Sequence, residues 1–203
     1  MPRTQEQNQV IKDKRRSKLL ATALKVFAAE GYDAVTIDAV TKASKCSHGL
    51  FYHYFPGKPD VFQALLSETI MPSGVLPPLK KALEARGVRG LAILRDYLNE
   101  ISQAPIGEVY IAKISCFLIE EESLPKEFER FAKENNLRGV FESLIRQGQD
   151  EGEVIAGDPK EISLAVNDLL QAAFKRKLEA GAKAKLVSAD VLFGMLLRRA
   201  IRE

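Results

Sequence analysis

Between Gly31 and Pro59 the chain is punctuated so closely that only short helices fit, and this limits the fold more than any other feature. Gly31 is free to take the positive φ that ends a helix. Thr36 suits an N-cap, and Asp38 then stands in the first turn, where the helix dipole favours an acid. Ser44-Lys45-Cys46 reads as a tight turn, Ser47 as a second N-cap, and Pro56-Gly57 as the next break. Pro59 fits the first position of a further helix, where its missing N–H costs nothing. The spacing predicts one helix from Thr36 to about Ala43 and another from Ser47 to Tyr54. A longer helix precedes them, Lys14 to Glu30, with Leu19, Leu20, Ala23, Leu24, Phe27 and Ala28 in one stripe. Residues 1–12 are polar and read as frayed. Two short helices joined by a three-residue turn and braced by a longer one make a helix-turn-helix.

The remainder is patterned for helices as well. Val61, Phe62, Leu65, Leu66 and Ile70 mark a fourth helix that Pro72 ends. Residues 73–85 bear prolines and show no clear period. Helices are expected near 88–103, 107–121 and 125–151. Asp158-Pro159-Lys160-Glu161 opens the next one, with Asp158 as cap and Glu161 placed to reach back. A last helix is expected from Ser188 to Arg202. Alternating β-branched runs with hairpin turns are absent. The expected fold is therefore all-α, about nine helices in all. An N-terminal three-helix helix-turn-helix DNA-binding domain, residues 1–58, is joined to a larger helical domain, residues 59–203. Pro72 is the best place for a structural seam.

Charge supports a polyanion partner. Residues 1–58 hold ten Lys/Arg against five Asp/Glu, while the rest of the chain holds twenty against twenty-two. A basic head on a near-neutral body suits double-stranded DNA. Lys14, Arg15, Arg16 and Lys18 at the head of the first helix, with Lys45 and Lys58 bracketing the third, can neutralise phosphates. Ser47, His48, Tyr52 and His53 can bond to phosphates or base edges, and Thr36 joins them at the second helix's cap. Gly49 permits close approach of backbone to DNA. Ala39, Val40, Cys46, Leu50 and Phe51 are expected to point inward.

Other chemistries find little support. Cys46 and Cys116 have neither metal spacing nor a disulfide framework, which fits a reducing compartment. His48 and His53 lie five apart, on different helix faces, so no metal site is expected. No nucleophile–base grouping or phosphate-binding glycine loop is visible, so neither an enzyme nor a cofactor is expected. No apolar run is long enough to cross a bilayer, and the N-terminus does not read as a signal peptide; a cytoplasmic protein with no membrane partner is expected.

The stretch Thr36-Ile37-Asp38-Ala39-Val40 … Ser47-His48-Gly49-Leu50-Phe51-Tyr52-His53-Tyr54-Phe55-Pro56-Gly57-Lys58 resembles the DNA-binding signature of the TetR (tetracycline-repressor-like) family. Leu24-x-x-Phe27-x-x-x-Gly31-Tyr32 resembles that family's first helix. The resemblance covers about residues 14–66. His48 stands where the family often has a basic residue, and Pro59 where it often has an acidic one. The salt dependence of binding is therefore expected to be weaker than usual.

The resemblance implies a homodimer whose last two helices, about 159–180 and 187–202, form a four-helix bundle with their copies. The seam would draw on Ile162, Val166, Leu169, Leu170, Ala173, Val191, Leu192, Met195 and Leu196. It also implies a cavity among the helices between 88 and 178 for a small-molecule effector that moves helix 59–71. Tyr97, Tyr110, Cys116, Phe117, Asn167 and Gln171 are candidates for its wall; plain core, or amide pairing across the seam, is the alternative. Lys175-Arg176-Lys177 and Glu120-Glu121-Glu122 read as solvated. The expected function is a sequence-specific transcriptional regulator, a repressor released from a palindromic operator by its effector. The alternative is a helix-turn-helix DNA-binding or interaction protein without an effector.

Overall fold

The structure, a computed structural model, describes residues 5–119, 128–134, 139–181 and 188–198. Among them the chain is helical, with one isolated bridge, Val154 to Leu197, in place of any sheet. It divides into two compact units, Met1–Pro72 and Ser73–Glu203.

Unit 1 contains α1 (Gln5–Glu30), α2 (Ile37–Ser44), α3 (His48–Tyr54) and α4 (Lys58–Leu65). The first helix begins nearer the N-terminus than the apolar stripe implies. Gln5–Asp13 contains no breaker, Glu6 favours the dipole, and Gln9 Nε2 donates to Asp13 Oδ1 at 2.9 Å. The stripe itself is buried, from Leu19 to Ala28, and Gly31 at φ +81° ends the helix with its N–H on the Phe27 carbonyl. This unit runs past residue 58 because α4 completes its core: the Phe62 ring lies 5.0 Å from Phe27 and 4.9 Å from Tyr32. Burying such side chains contributes about 1.5–3 kcal/mol each. Beyond α4 the helix widens into a π turn, Leu66–Ile70, where the Met71 N–H reaches the Leu66 carbonyl.

Unit 2 contains α5 (Leu76–Ala85), α6 (Gly87–Gln103), α7 (Ile106–Ile119), α8 (Glu129–Glu134), α9 (Val140–Asp150), α10 (Pro159–Ala180) and α11 (Ala189–Gly194). The proline-bearing stretch is helical because Pro77 and Pro78 occupy the first turn of α5, where no N–H is needed. Helix α6 packs on α5, α7, α9 and α11, and α10 packs on α7 and α9. Close approach requires Gly90: a Cβ there would stand 2.4 Å from the Ala82 carbonyl and 2.5 Å from Leu144. Side chains from the end of α9 and its C-cap cover the start of α6, Gln147 accepting from the Gly87 N–H and Glu151 from that of Val88.

Two helical expectations in unit 2 are corrected. The span 125–151 is not one helix. Gly139 sits at φ +63° ahead of α9, and residues 120–127 and 135–138, with Glu120-Glu121-Glu122, lie outside the described residues. The last helix stops at Gly194 rather than Arg202. Its continuation folds onto the loop before α10, with the Ile155 N–H on the Leu196 carbonyl and the Arg198 N–H on that of Glu153. Residues 199–203 lie outside the described residues.

Candidate nucleic-acid interface

The caps expected at the head are in place. Thr36 Oγ1 accepts from the Ala39 N–H at 3.1 Å, and Ser47 Oγ from the Leu50 N–H at 3.2 Å. Between them Lys45 adopts the left-handed conformation, φ 57°, its N–H on the Lys42 carbonyl, while the Cys46 N–H reaches that of Thr41. The Ser44 hydroxyl lies 2.8 Å from the Val40 carbonyl and closes the turn from inside. Val40 and Phe51 are sunk in the core; Ala39, Cys46 and Leu50 are half-buried. A buried Phe51 fixes which side of this short helix meets solvent.

That outer side carries Ser47, His48, Gly49, Tyr52 and His53, all exposed. Nothing stands within 4 Å of a Cβ built on Gly49, so the backbone there is open. The His48 ring is not loose: Nε2 lies 3.2 Å from Asp38 Oδ1 and 3.4 Å from Thr41 Oγ1. Asp38 thus orients an exposed ring ten positions later, a role its place in the first turn of α2 does not reveal. Beside the turn lies a groove of about 370 Å³ bordered by Arg15, Lys18, Lys45, Ser44, Cys46, Leu19, Leu50 and Tyr54. Three cations around one groove are suited to a phosphate oxygen. Lys14, Arg15, Lys18, Lys45 and Thr36 are exposed.

Two of the expected phosphate contacts are engaged elsewhere. Lys58 Nζ donates to the Tyr32 carbonyl at 2.9 Å and the Asp33 carbonyl at 3.2 Å, 4.6 Å from the centre of the Tyr32 ring. It clamps the loop after α1. Arg16 makes a bidentate pair with Glu68, at 2.5 and 2.6 Å, with its guanidinium 5.1 Å from the Phe55 ring centre. That pair holds the Glu68 carboxyl below its ordinary range, chiefly through the hydrogen bonds. Both partners were hidden by sequence distance, 26 and 52 residues away.

Unit 2 encloses a cavity of about 20 Å³, walled by Val75, Leu79, Leu94, Tyr97, Leu98, Ala112, Ser115, Cys116 and Phe141. Tyr97 and Cys116 are on this wall. Tyr110 is half-buried off the wall, and the Phe117 side chain lies outside the described residues. Of the two amides, Asn167 is buried on α10 and does not line this cavity, and Gln171 donates to the Lys113 carbonyl at 3.3 Å, tying α10 to α7. The nine residues expected at a seam fall into two groups. Leu169, Val191 and Met195 are exposed and Ile162 half-buried, whereas Val166, Leu170, Ala173, Leu192 and Leu196 are buried in the core of the single chain. Lys175 and Arg176 are solvated, but Lys177 is buried. Among the described residues no helix is long and apolar enough to cross a membrane, and no cluster of three or more His, Cys, Asp or Glu forms a metal cage.

A capped, core-anchored helix facing solvent from a basic three-helix head defines a helix-turn-helix, DNA-binding transcriptional regulator. Residues 19–65 match the family model described as bacterial regulatory proteins, tetR family, so this segment is similar to that family's DNA-binding region. It is 29% identical over 153 residues to the HTH-type transcriptional regulator YfiR of Bacillus subtilis (strain 168), itself uncharacterised, covering 70% of this chain and 69% of that one. The crystal structure of the MbdR regulator from Azoarcus sp. CIB shares the fold at 22% identity, with a TM-score of 0.59 over 92% of this chain and 99% of that one. So does NalD of Pseudomonas aeruginosa, described as the secondary repressor of the MexAB-OprM multidrug efflux pump. It shows 21% identity and a TM-score of 0.52 over 93% and 98% of the two chains.

Proposed function

We propose that the chain is a homodimeric repressor that grips a palindromic operator with two copies of α3 and releases it when a small molecule enters the cavity of unit 2. The observation that carries this reading is α3, with Phe51 sunk and Ser47, His48, Gly49, Tyr52 and His53 left in solvent. A seven-residue helix reaches few base pairs, so a single copy binds weakly. Two copies about a two-fold axis read half-sites with centres roughly 34 Å apart. Leu169 is 48% exposed, Val191 58% and Met195 63%; these apolar side chains on α10 and α11 favour cover by a second copy. Repression is the sign ascribed to NalD, and the reading adopts it.

On this reading the segment to Pro72 reads DNA in the cytoplasm, and the segment from Ser73 pairs the protomers and senses the effector. Val75 and Leu79 of the cavity wall follow closely on Pro72, where the DNA-reading unit ends. The effector need not touch DNA. It needs different affinities for two separations of the paired heads, commonly about 1–3 kcal/mol of coupling. The test joins light scattering to fluorescence anisotropy with duplexes from upstream of the protein's own gene. A dimer with salt-sensitive, sequence-selective binding is expected; a monomer indifferent to every duplex and every salt concentration overturns the proposal.

A further inference from the structure

One exposed ring on α3 has its proton placed by its neighbours. His48 Nε2 lies 3.2 Å from Asp38 Oδ1 and 3.4 Å from Thr41 Oγ1. The Thr41 hydroxyl spends its own proton on the Asp38 carbonyl, at 3.0 Å. Thr41 can therefore only accept from the ring, and an ionised carboxylate can do nothing else. Both neighbours require the proton on Nε2. In the neutral imidazole the other nitrogen, Nδ1, is then a bare acceptor. Nδ1 has no hydrogen bond to any described residue, and the His48 side chain is 55% exposed. Thr41 is buried, so Nε2 is the nitrogen held against α2.

We propose that Asp38 and Thr41 fix His48 as a hydrogen-bond acceptor that selects adenine or cytosine, the bases with an amino group in the major groove, at one position of each half-site. This choice rests on α3 lying in the major groove, as proposed above, and concerns only which base edge it meets there. A phosphate has no proton to give Nδ1, and the Asp38 carboxylate, 80% exposed beside the ring, repels one. Adenine N6 and cytosine N4 donate, whereas guanine O6 and thymine O4 stand at the same place on the edge and only accept. Against guanine or thymine, Nδ1 faces a second lone pair. Asp38 is a positioning residue in this scheme: it decides which ring nitrogen is left for DNA. An acid on the outer side of a basic head thereby has a use.

The test uses the full chain at about pH 8.5, above the ordinary range of an imidazole. Hydrogen–nitrogen correlation NMR of the histidine rings, assigned with His53→Gln, reads the tautomer without DNA. A proton on His48 Nε2 is expected; a proton on Nδ1 overturns the proposal. The operator is then selected from a pool of random duplexes, and fluorescence anisotropy compares duplexes changed at single positions. One position in each half-site is expected to favour adenine or cytosine over guanine or thymine by about two- to tenfold. His48→Ala should abolish that preference and leave the other positions as they were. Asp38→Ala keeps the ring but frees it, and should weaken the preference at the same position. Both side chains are exposed, so neither variant disturbs the core, and a merely structural loss would lower affinity for every duplex alike. A His48-dependent position that favours guanine or thymine, the absence of any His48-dependent position, or a preference untouched by Asp38→Ala overturns the proposal and leaves the DNA-binding reading standing. Failure of the wild type to select any duplex overturns both.

Discussion

Replacing Lys58 by Met distinguishes a clamp from a phosphate contact. The ammonium donates to two backbone carbonyls, Tyr32 at 2.9 Å and Asp33 at 3.2 Å, and faces the Tyr32 ring at 4.6 Å. Hydrogen bonds from a charged donor are worth about 1.5–3 kcal/mol when buried, and an exposed cation–ring contact about 0.5–1 kcal/mol. Lys58 is half-buried and the freed carbonyls regain some water, so a net loss of about 2 kcal/mol is expected. Urea unfolding at fixed protomer concentration reads this as a midpoint lower by about 1 M, taking a slope of about 2 kcal/mol/M. Anisotropy from 50 to 200 mM salt reads the other half. A lost phosphate contact flattens the slope of log affinity against log salt by about 0.9, whereas a clamp leaves it unchanged. A flattened slope with an unmoved urea midpoint would refute the reasoning.

Glu68→Gln removes the partner of Arg16. Because the Glu68 pKa lies below its ordinary value in the fold, its contribution is complete above the ordinary carboxylate range and fades as pH falls through the lowered value. Wild type should exceed the variant by no more than about 1 kcal/mol at pH 7, since the two side chains are 33% and 45% exposed, and the gap should close towards pH 3; a constant gap in urea midpoints argues against the pairing. Leu169→Glu should yield a folded monomer by light scattering, whereas Leu196→Glu, at a site 5% exposed, should unfold the protomer; the opposite pattern would invert the assignment of seam and core. Gly49→Ala should raise stability by about 0.5 kcal/mol, because alanine favours a helix, yet weaken operator binding about tenfold or more through the added methyl, at a cost of about 1.4 kcal/mol or more. Unchanged affinity would place α3 away from DNA.

Local features of the sequence proved the most legible. Thr36, Ser47 and Asp158 each cap a backbone N–H two or three residues on, so their roles are written in adjacent letters. Tertiary roles were not. Arg16 and Lys58 sit among cations and read as phosphate ligands, but their ties to Glu68 and to the Tyr32–Asp33 backbone depend on how distant segments pack. Helical spacing also cannot separate a protomer's own core from a seam with a second copy. Val166, Leu170 and Leu169 share one apolar pattern on α10, yet only Leu169 is exposed. The overlong last helix arose the same way: Leu196 continues the helical spacing, but its carbonyl is bonded to the loop at Ile155.

The bidentate grip of Arg16 on Glu68 has a mechanical consequence. One guanidinium joins α1 to the π turn while lying against Phe55, the residue that ends α3. A push arriving at that turn is shared at once with the long brace and the foot of the reader. The brace, the foot of α3 and the π turn are thereby fastened at a single point.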